Sequence, residues 1–210
     1  MKKVRLLCIT CQRNDVSYAE QVEFACMGGA DMIQLRDKTL PDRELLATAR
    51  RLKNICTKYG VYFTVNNRID IADASFADGV HIGQNDLPAE YARKLLGLEK
   101  IIGLSASNYQ QALSADKQNI DYIGYGAIFH TQTKPESHAS GLKILAEIKK
   151  NVNAPVIAIG GIDETNIADV IRAGADGVAV VSAVCGASDI KQAAEKIKKI
   201  ILQTELEKRN

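Results

Sequence analysis

The sequence predicts an α/β protein built as a single (β/α)8 TIM barrel spanning residues 1–210, and three observations support this. Short runs rich in Val and Ile recur eight times, and segments whose apolar residues return every three or four positions lie between them. Runs such as Val156–Ile159 and Val178–Val181 are apolar throughout, which is typical of parallel strands covered by helices. Eight such units in 210 residues favour a closed barrel over an open doubly wound sheet, which usually carries fewer units.

The predicted elements follow in order along the chain. The eight strands are Val4–Thr10, Met32–Arg36, Tyr62–Asn66, Gly79–Gly83, Ile101–Ala106, Tyr122–Phe129, Pro155–Gly160 and Gly177–Val184. Amphipathic helices are clearest over Asp42–Tyr59, Ala89–Leu96, Leu142–Val152 and Thr165–Ala173. Glycine-containing segments, Gly28–Asp31 and Ala173–Gly177, precede the second and eighth strands as helix C-caps would. The charged end, Glu205–Asn210, is expected to be a fraying helix tail.

Composition limits the class of partner and the compartment. The chain has 27 basic and 25 acidic residues, a net charge of +2, and no basic block interleaved with aromatics, so we expect no nucleic-acid partner. No run has transmembrane length and no signal-peptide core is present, so we expect no membrane partner. Five scattered cysteines favour free thiols in the cytoplasm. Cys8 and Cys11 have the spacing of a metal or redox pair, but no second pair completes a zinc set.

The carboxyl ends of the strands, which form the active site in barrels of this kind, carry polar residues. At the end of the second strand, alternation places Gln34 and Arg36 on one side of the sheet, and Lys38 reaches over the rim. A forked guanidinium and a compact ammonium together suit a diphosphate. The alternative is a barrel-interior Gln and Arg beside a solvated Lys.

Asn67 and Asp86 follow the third and fourth strands. Their amide and carboxylate oxygens could hold Mg²⁺ beside a substrate diphosphate, because that ion takes few protein ligands and keeps waters or phosphate oxygens. The alternative is that the two side chains cap the helices that follow.

Two further loops have the character of anion sites. The sixth strand leads into Thr131, Thr133 and Lys134, although a Thr-rich turn without function could look similar. The seventh and eighth strands are followed by glycine and serine residues whose backbone amides would form the phosphate site that recurs in such barrels. These residues are Gly160, Gly161, Val181 and Ser182.

Together these residues resemble the family of thiamine phosphate synthase and its relative, thiazole tautomerase, nearly from end to end. The motifs that carry the resemblance are Gln34-x-Arg36-x-Lys38, Asn66-x-Arg68-x-Asp70, Gly79-Val80-His81-Ile82-Gly83-Gln84-x-Asp86, Gly103-x-Ser105, Thr131-x-Thr133-Lys134, Ile159-Gly160-Gly161-Ile162 and Gly174-Ala175-Asp176-Gly177.

The resemblance implies a Mg²⁺-dependent transferase that joins hydroxymethylpyrimidine diphosphate to thiazole phosphate and releases pyrophosphate. It implies catalytic roles at the diphosphate for Arg36, Lys38, Ser105 and Lys134, with Asn66 as a further diphosphate ligand. Gln34 would position the pyrimidine, and Asp86 with Asn67 would hold the metal. Thr131, Thr133, Gly160, Gly161, Val181 and Ser182 would bind the thiazole phosphate. A homo-oligomer is compatible with the resemblance.

The chain departs from the family pattern at two positions. Asn67 stands where the synthase has a metal-binding Asp, which predicts weakened Mg²⁺ affinity, and Ser107 stands where the tautomerase has its acid-base His. Three hypotheses remain open: a synthase, a tautomerase, and a non-catalytic protein that binds thiazole or thiamine phosphate. His81 is expected to be packed and hydrogen-bonded, and His130 to be solvated. Residues Lys134–Gly141, including His138, could form a lid.

Overall fold

The computed structural model describes residues 2–131 and 139–208, which form a closed barrel of parallel strands in the order β1 to β8. The strands are β1 (Leu6–Ile9), β2 (Met32–Leu35), β3 (Tyr62–Asn66), β4 (Gly79–Ile82), β5 (Ile101–Ala106), β6 (Tyr122–Tyr125), β7 (Val156–Ile159) and β8 (Gly177–Val180). Closure comes from β1, which pairs with both β2 and β8. The predicted (β/α)8 fold is therefore confirmed.

A helix follows each strand and packs outside the barrel. The helices are α1 (Tyr18–Met27), α2 (Asp42–Tyr59), α3 (Ile69–Ala74), α4 (Ala89–Leu96), α5 (Tyr109–Asp116), α6 (Gly141–Asn151), α7 (Ile167–Arg172) and α8 (Ile190–Glu207). Among the described residues, no helix combines the length and apolar character needed to cross a bilayer.

The predicted strands extend furthest beyond the observed ones at the ends of β6 and β8. Residues Ala127 and Ile128 are buried as a strand would be, but they belong to a loop whose Ile128 N–H donates to the carbonyl of Ile159 at 3.0 Å. Val181 likewise begins a turn, because its carbonyl accepts from the Cys185 N–H at 2.8 Å. Apolar runs thus continue past the sheet wherever a loop packs onto a strand end.

Alternation along the strands separates two cores. The larger core lies between the strands and the helices, and it includes Cys8, Ile33, Phe63 and Val80. The smaller core fills the barrel interior, where Leu7, Met32, Ile101, Tyr122 and Ile157 pack together. Because successive strand residues face opposite sides, the inward positions nearer the carboxyl ends of β2, β3, β4 and β5 are polar: they are Gln34, Asn66, His81 and Ser105.

A four-fold repeat organises the amino-terminal end of the barrel. One aspartate precedes each even-numbered strand, and its carboxylate accepts a backbone N–H from the odd-numbered strand before it. The pairs are Asp31 with Leu6 at 2.9 Å, Asp78 with Phe63 at 2.8 Å, Asp121 with Ile102 at 2.8 Å, and Asp176 with Val156 at 2.7 Å. The N–H of each aspartate returns a bond to the carbonyl of the same partner.

Each of these aspartates also binds one cation from an even-numbered helix. The ion pairs are Lys198 with Asp31 at 2.5 Å, Lys53 with Asp78 at 2.6 Å, Arg93 with Asp121 at 2.7 Å, and Lys149 with Asp176 at 2.7 Å. The sequence repeat at Gly28–Asp31 and Ala173–Gly177 is thus two members of a set of four, each tying two strands to one helix.

The carboxyl-terminal segment is better anchored than predicted. Helix α8 runs to Glu207, and Glu205 pairs with Lys3 at 2.6 Å and with Arg5 at 2.8 Å. The expectation of a fraying tail from Glu205 is therefore wrong for Glu205–Glu207, because the tail closes onto the first residues of the chain.

Candidate active site

Arg36 and Lys38 follow β2 directly and lie at the carboxyl-terminal rim. The Arg36 N–H donates to Thr10 Oγ1 at 3.0 Å, which ties this loop to the end of β1. Neither the Arg36 guanidinium nor the Lys38 ammonium forms a hydrogen bond or ion pair with any described residue. Two cations at one rim without anionic partners form a site suited to a phosphorylated ligand.

Asp37 lies between these two cations but does not neutralise them. Its carboxylate accepts from the Tyr18 hydroxyl, from the Thr39 N–H at 2.6 Å and from the Leu40 N–H at 2.8 Å. Burial alone would raise the pKa of Asp37, but these hydrogen bonds lower it below its ordinary value. The carboxylate therefore fixes the loop and leaves both cations available.

Gln34 points into the upper part of the barrel interior from β2. Its residue is only 3% exposed, yet within residues 2–131 and 139–208 its side-chain amide makes no hydrogen bond. The amide oxygen and nitrogen are not among the fully buried unpaired polar atoms of the described residues, so both retain accessible donor and acceptor capacity for a ligand.

Asn66 ends β3, and Asn67 follows it in the left-handed backbone region with φ of 62°. Asn tolerates this conformation better than most residues. The Asn67 N–H donates to the carbonyl of His81 at 2.8 Å, which places its exposed side chain beside the end of β4. Arg68, in contrast, is engaged with Asp42 and Asp70, each at 2.6 Å.

Asp86 lies in the loop after β4, where its Oδ2 accepts the Gly83 N–H at 2.6 Å. Asp86 forms no ion pair with the part of the chain that the structure describes. Helices α3 and α4 begin after Arg68 and Pro88 without a side-chain cap. The alternative that Asn67 and Asp86 cap these helices is therefore wrong.

Asn67 and Asp86 offer oxygen ligands from adjacent loops, and the Asp86 charge has no cationic partner among described residues. These features fit a Mg²⁺ ion that would take its other ligands from a diphosphate and water. The described residues hold no group of three or more His, Cys, Asp or Glu side chains arranged for a metal. Cys8 is buried in the larger core, and Cys11 contacts Gln21 instead.

Ser105 faces inward from β5 and is hydrogen-bonded to His81. The distance from Ser105 Oγ to His81 Nε2 is 2.8 Å, and that from His81 Nδ1 to the Tyr122 hydroxyl is also 2.8 Å. Burial lowers the pKa of His81 to about 4, so the imidazole is neutral at neutral pH. Gln84 donates to the Ser105 carbonyl at 2.6 Å, which joins the loop after β4 to β5.

The expectation that His81 is packed and hydrogen-bonded is confirmed, and His130 is exposed as predicted. Sequence reasoning missed Tyr122 as a partner of His81. The sequence signal was only that Tyr122 begins the predicted sixth strand, because the register that places it beside Gly103 comes from the structure.

The loops after β7 and β8 supply backbone donors to the same rim. Gly160 and Gly161 have positive φ angles of 99° and 63°, and a Cβ at Gly161 would lie 2.4 Å from the His130 carbonyl oxygen. Only glycine fits this turn. No described residue accepts a hydrogen bond from the N–H of Gly161 or of Ser182, so both can bind an anion.

Asn166 is a residue of this loop that sequence reasoning missed. Its Nδ2 donates to the Gly161 carbonyl at 2.8 Å, and its Oδ1 accepts from the Asp163 N–H at 3.0 Å. These bonds hold the Gly161 turn in shape. Val181 precedes Ser182 and is half-buried where β8 ends.

The remaining predicted residues belong to the loop after β6. Thr131 is half-buried at the edge of the described segment. Thr133, Lys134 and His138 lie outside the described residues, as does most of the predicted lid. Its end is anchored, because the Ser140 N–H donates to the Ala127 carbonyl at 2.9 Å and the Gly141 N–H to that of Ile128 at 3.1 Å.

Taken together, the rim offers cations without ion pairs on one side and backbone N–H groups without acceptors on the other, as far as the described residues go. It can hold two anionic groups and stabilise charge on a departing one. Ser105 contacts the neutral imidazole of His81, and the Asp86 carboxylate has no cationic partner among the described residues, an arrangement better suited to neutralising charge than to strong base catalysis.

Comparison with known proteins agrees with this geometry. Residues 6–184 match the family model described as thiamine monophosphate synthase. The chain is 48% identical over 183 residues to a thiamine-phosphate synthase of Moorella thermoacetica, covering 87% of each chain. It is 44% identical over 190 residues to the thiamine-phosphate synthase of Chloroflexus aurantiacus, covering 90% of this chain and 88% of that one.

The fold comparison gives the same result. A solved structure named thiamine phosphate pyrophosphorylase, from Pyrococcus furiosus, superposes with a TM-score of 0.90 at 39% identity, covering 96% of this chain and 97% of that one. The family model and these relatives cover most of the barrel, including the strand ends that carry the rim. The chain therefore belongs to the thiamine monophosphate synthase family.

Proposed function

We propose that this chain is a thiamine-phosphate synthase, a transferase that joins hydroxymethylpyrimidine diphosphate to thiazole phosphate. The observation that carries the proposal is the pairing of two anion sites on one rim. Arg36 and Lys38 lack anionic partners among described residues, and the N–H groups of Gly161 and Ser182 lack acceptors there. A reaction between two phosphorylated substrates needs two such sites.

The diphosphate would be held by Arg36, Lys38 and Asn66, together with Lys134. The bond between the pyrimidine methylene carbon and the diphosphate oxygen breaks, and the departing oxygen takes the electron pair. Positive charge that is already in place beside this oxygen lowers the barrier, because it stabilises the negative charge that develops there. Gln34 would orient the pyrimidine, and Ser105 would donate to the leaving group.

The thiazole phosphate would bind across the rim at Gly160, Gly161, Val181 and Ser182, with Thr131 and Thr133 lining the pocket. Anchoring the phosphate there would hold the ring nitrogen in line with the methylene carbon, where the new C–N bond forms. Such positioning replaces a bimolecular encounter with a reaction between oriented groups. No proton has to leave the nitrogen, so no base is needed at this step.

Mg²⁺ would be held by Asp86 and Asn67, and when bound it would neutralise part of the diphosphate charge. The single carboxylate makes this ion weakly bound. A cytoplasmic location remains a prediction that fits five free cysteines. Assembly into a homo-oligomer, and the absence of nucleic-acid and membrane partners, also remain predictions.

The tautomerase alternative is disfavoured by Ser107. Its N–H and its hydroxyl both donate to Gln111 Oε1, at 2.8 Å and 2.9 Å, so it serves the start of α5. A serine engaged in this way cannot replace an acid-base histidine. The non-catalytic alternative is motivated by Asn67, because the loss of one carboxylate could leave binding without turnover.

One coupled assay for pyrophosphate separates these functions. Both substrates with Mg²⁺ are expected to release pyrophosphate and form thiamine phosphate, and omitting either substrate should abolish release. Conversion of a thiazole phosphate alone, without metal, would instead identify a tautomerase. Tight binding of thiamine phosphate by calorimetry, with no pyrophosphate under any condition, would overturn the proposal in favour of a binding protein.

A further inference from the structure

Three side chains form a hydrogen-bonded file through the barrel interior. Tyr122 begins β6 at the amino-terminal side and is 1% exposed. Its hydroxyl lies 2.8 Å from His81 Nδ1, and His81 Nε2 lies 2.8 Å from Ser105 Oγ near the carboxyl end of β5. The file thus connects the bottom of the interior to a residue at the candidate site.

Two glycines leave the space that the file occupies. A Cβ on Gly103 would lie 2.4 Å from the Tyr122 hydroxyl oxygen and 2.5 Å from His81 Nδ1. A Cβ on Gly124 would lie 2.7 Å from His81 Cε1. Any larger residue at either position would displace the imidazole, so β5 and β6 are shaped around this contact.

The direction of the hydrogen bonds follows from counting donors. Among described residues the Tyr122 hydroxyl has His81 as its one hydrogen-bond partner. If Nδ1 carried the imidazole hydrogen, the Tyr122 hydrogen would be buried without an acceptor, which is unfavourable. The favoured order is therefore Tyr122 donating to Nδ1, with the single hydrogen of the neutral ring on Nε2.

In this order Nε2 donates to Ser105 Oγ, and the Ser105 hydrogen is free to point away from His81 toward the rim. The opposite tautomer would draw that hydrogen onto Nε2 and present only lone pairs to the site. Lone pairs facing an anionic group are repulsive, whereas a donor is attractive. The tautomer of His81 thus decides whether Ser105 helps an anion.

We propose that Tyr122 is a positioning residue that acts through His81 to fix Ser105 as a hydrogen-bond donor toward the substrate. The proposal rests on the proposed function in one respect, since the acceptor would be an oxygen of the departing diphosphate. The hydrogen-bond order itself is a property of the protein without substrate.

The order can be read directly by ¹⁵N NMR of the full chain labelled at histidine, without substrates. We expect His81 to show a protonated Nε2 and a bare Nδ1 at neutral pH. The His81 signals are identified by their loss in the His81→Gln variant. A protonated Nδ1 would overturn the proposal, and this measurement is independent of activity.

Kinetics then test the consequence for catalysis. Tyr122→Phe keeps the ring and is expected to lower kcat about five-fold, the effect of one net hydrogen bond, with KM for the pyrimidine diphosphate changed less than about two-fold. In a Ser105→Ala background the same change should have no further effect. Tyr62→Phe is the matched control, because Tyr62 begins β3 and its hydroxyl accepts only from the Lys2 N–H among described residues.

The role of Tyr122 would be refuted if Tyr122→Phe lowered kcat as much in the Ser105→Ala background as in the native protein. It would also be refuted if Tyr62→Phe lowered kcat equally. If the native protein forms no thiamine phosphate, the proposed function fails, while the NMR result still decides the order of the file. If Tyr122→Phe does not fold, the His81 tautomer measured by NMR in the native protein still tests the proposed direction of the hydrogen bonds.

Discussion

At the amino-terminal end of the barrel, charges are paired in a repeated pattern, whereas at the carboxyl-terminal end two cations stand without anionic partners among the described residues. A groove of about 570 Å³ at the amino-terminal end is lined by four cations, Lys2, Lys3, Arg5 and Lys198. Lys3 and Arg5 bind Glu205 and Lys198 binds Asp31, so of these four only Lys2 has no ion pair with a described residue. Arg36 and Lys38 have no such partner within the described chain.

The difference separates stability from function within one fold. Carboxylates that accept both a backbone N–H and a cation hold strands and helices together. Cations left unpaired raise the local potential and contribute nothing comparable to the fold. Four changes test this contrast.

Arg36→Ala should lower kcat/KM about 1,000-fold, roughly 4 kcal/mol of transition-state stabilisation, because one fixed cation at the leaving group is lost. The free energy of unfolding should change by less than about 0.5 kcal/mol, since the guanidinium has no described partner. Steady-state pyrophosphate release and urea denaturation measure the two quantities. Arg43→Ala, at an exposed position of α2, is the control; equal losses in both variants would remove the distinction between the ends.

Asp121→Asn should show the opposite profile. Arg93 is only 8% exposed and would keep its charge without a carboxylate, so unfolding should become easier by about 3 kcal/mol while kcat stays within about two-fold. Asp169→Asn, which breaks the exposed pair with Arg172, is the comparison and should cost less than about 0.5 kcal/mol. A stability loss in Asp121→Asn no greater than in that control would show that the four-fold repeat carries little of the fold.

The burial of His81 in the barrel interior should give the fold a pH dependence. Its pKa is about 4 in the folded protein against 6.5 as its ordinary value, so the unfolded chain binds the proton first as pH falls. Stability should therefore decrease from pH 6.5 to pH 4, by about 3 kcal/mol, and level off below pH 4. The free energy of unfolding, measured by urea denaturation across this pH range, should change less steeply with pH in His81→Gln than in the native protein. An unchanged pH dependence would show that another group is responsible for it.

Asn67→Asp restores a charge at the rim and should lower the Mg²⁺ concentration for half-maximal turnover about ten-fold, roughly 1.4 kcal/mol. The left-handed backbone at this position accepts Asp as well as Asn, so folding should be unaffected. A magnesium titration of pyrophosphate release measures the effect. The same half-maximal concentration in both proteins would remove Asn67 from the proposed metal site.

Local periodicity was enough to predict the barrel and much of its rim from the sequence. Strands β3 and β5 and helices α2 and α4 have the predicted bounds, because alternation and helical spacing are read from neighbouring residues. The same alternation predicted that Gln34 and Arg36 face one side. Where apolar runs continued into loops after β6 and β8, periodicity could not tell a buried loop from a strand.

Tertiary structure alone decided which charges are paired and which hydroxyls are oriented. Lys198 meets Asp31 across 167 positions, and Tyr122 meets His81 across 41, because the barrel closes and brings distant strands into register. The neighbouring residues in the sequence do not distinguish Lys198 from Lys38. One is held by a carboxylate that closure places beside it, and the other is left at a rim where closure brings no carboxylate among the described residues to neutralise it.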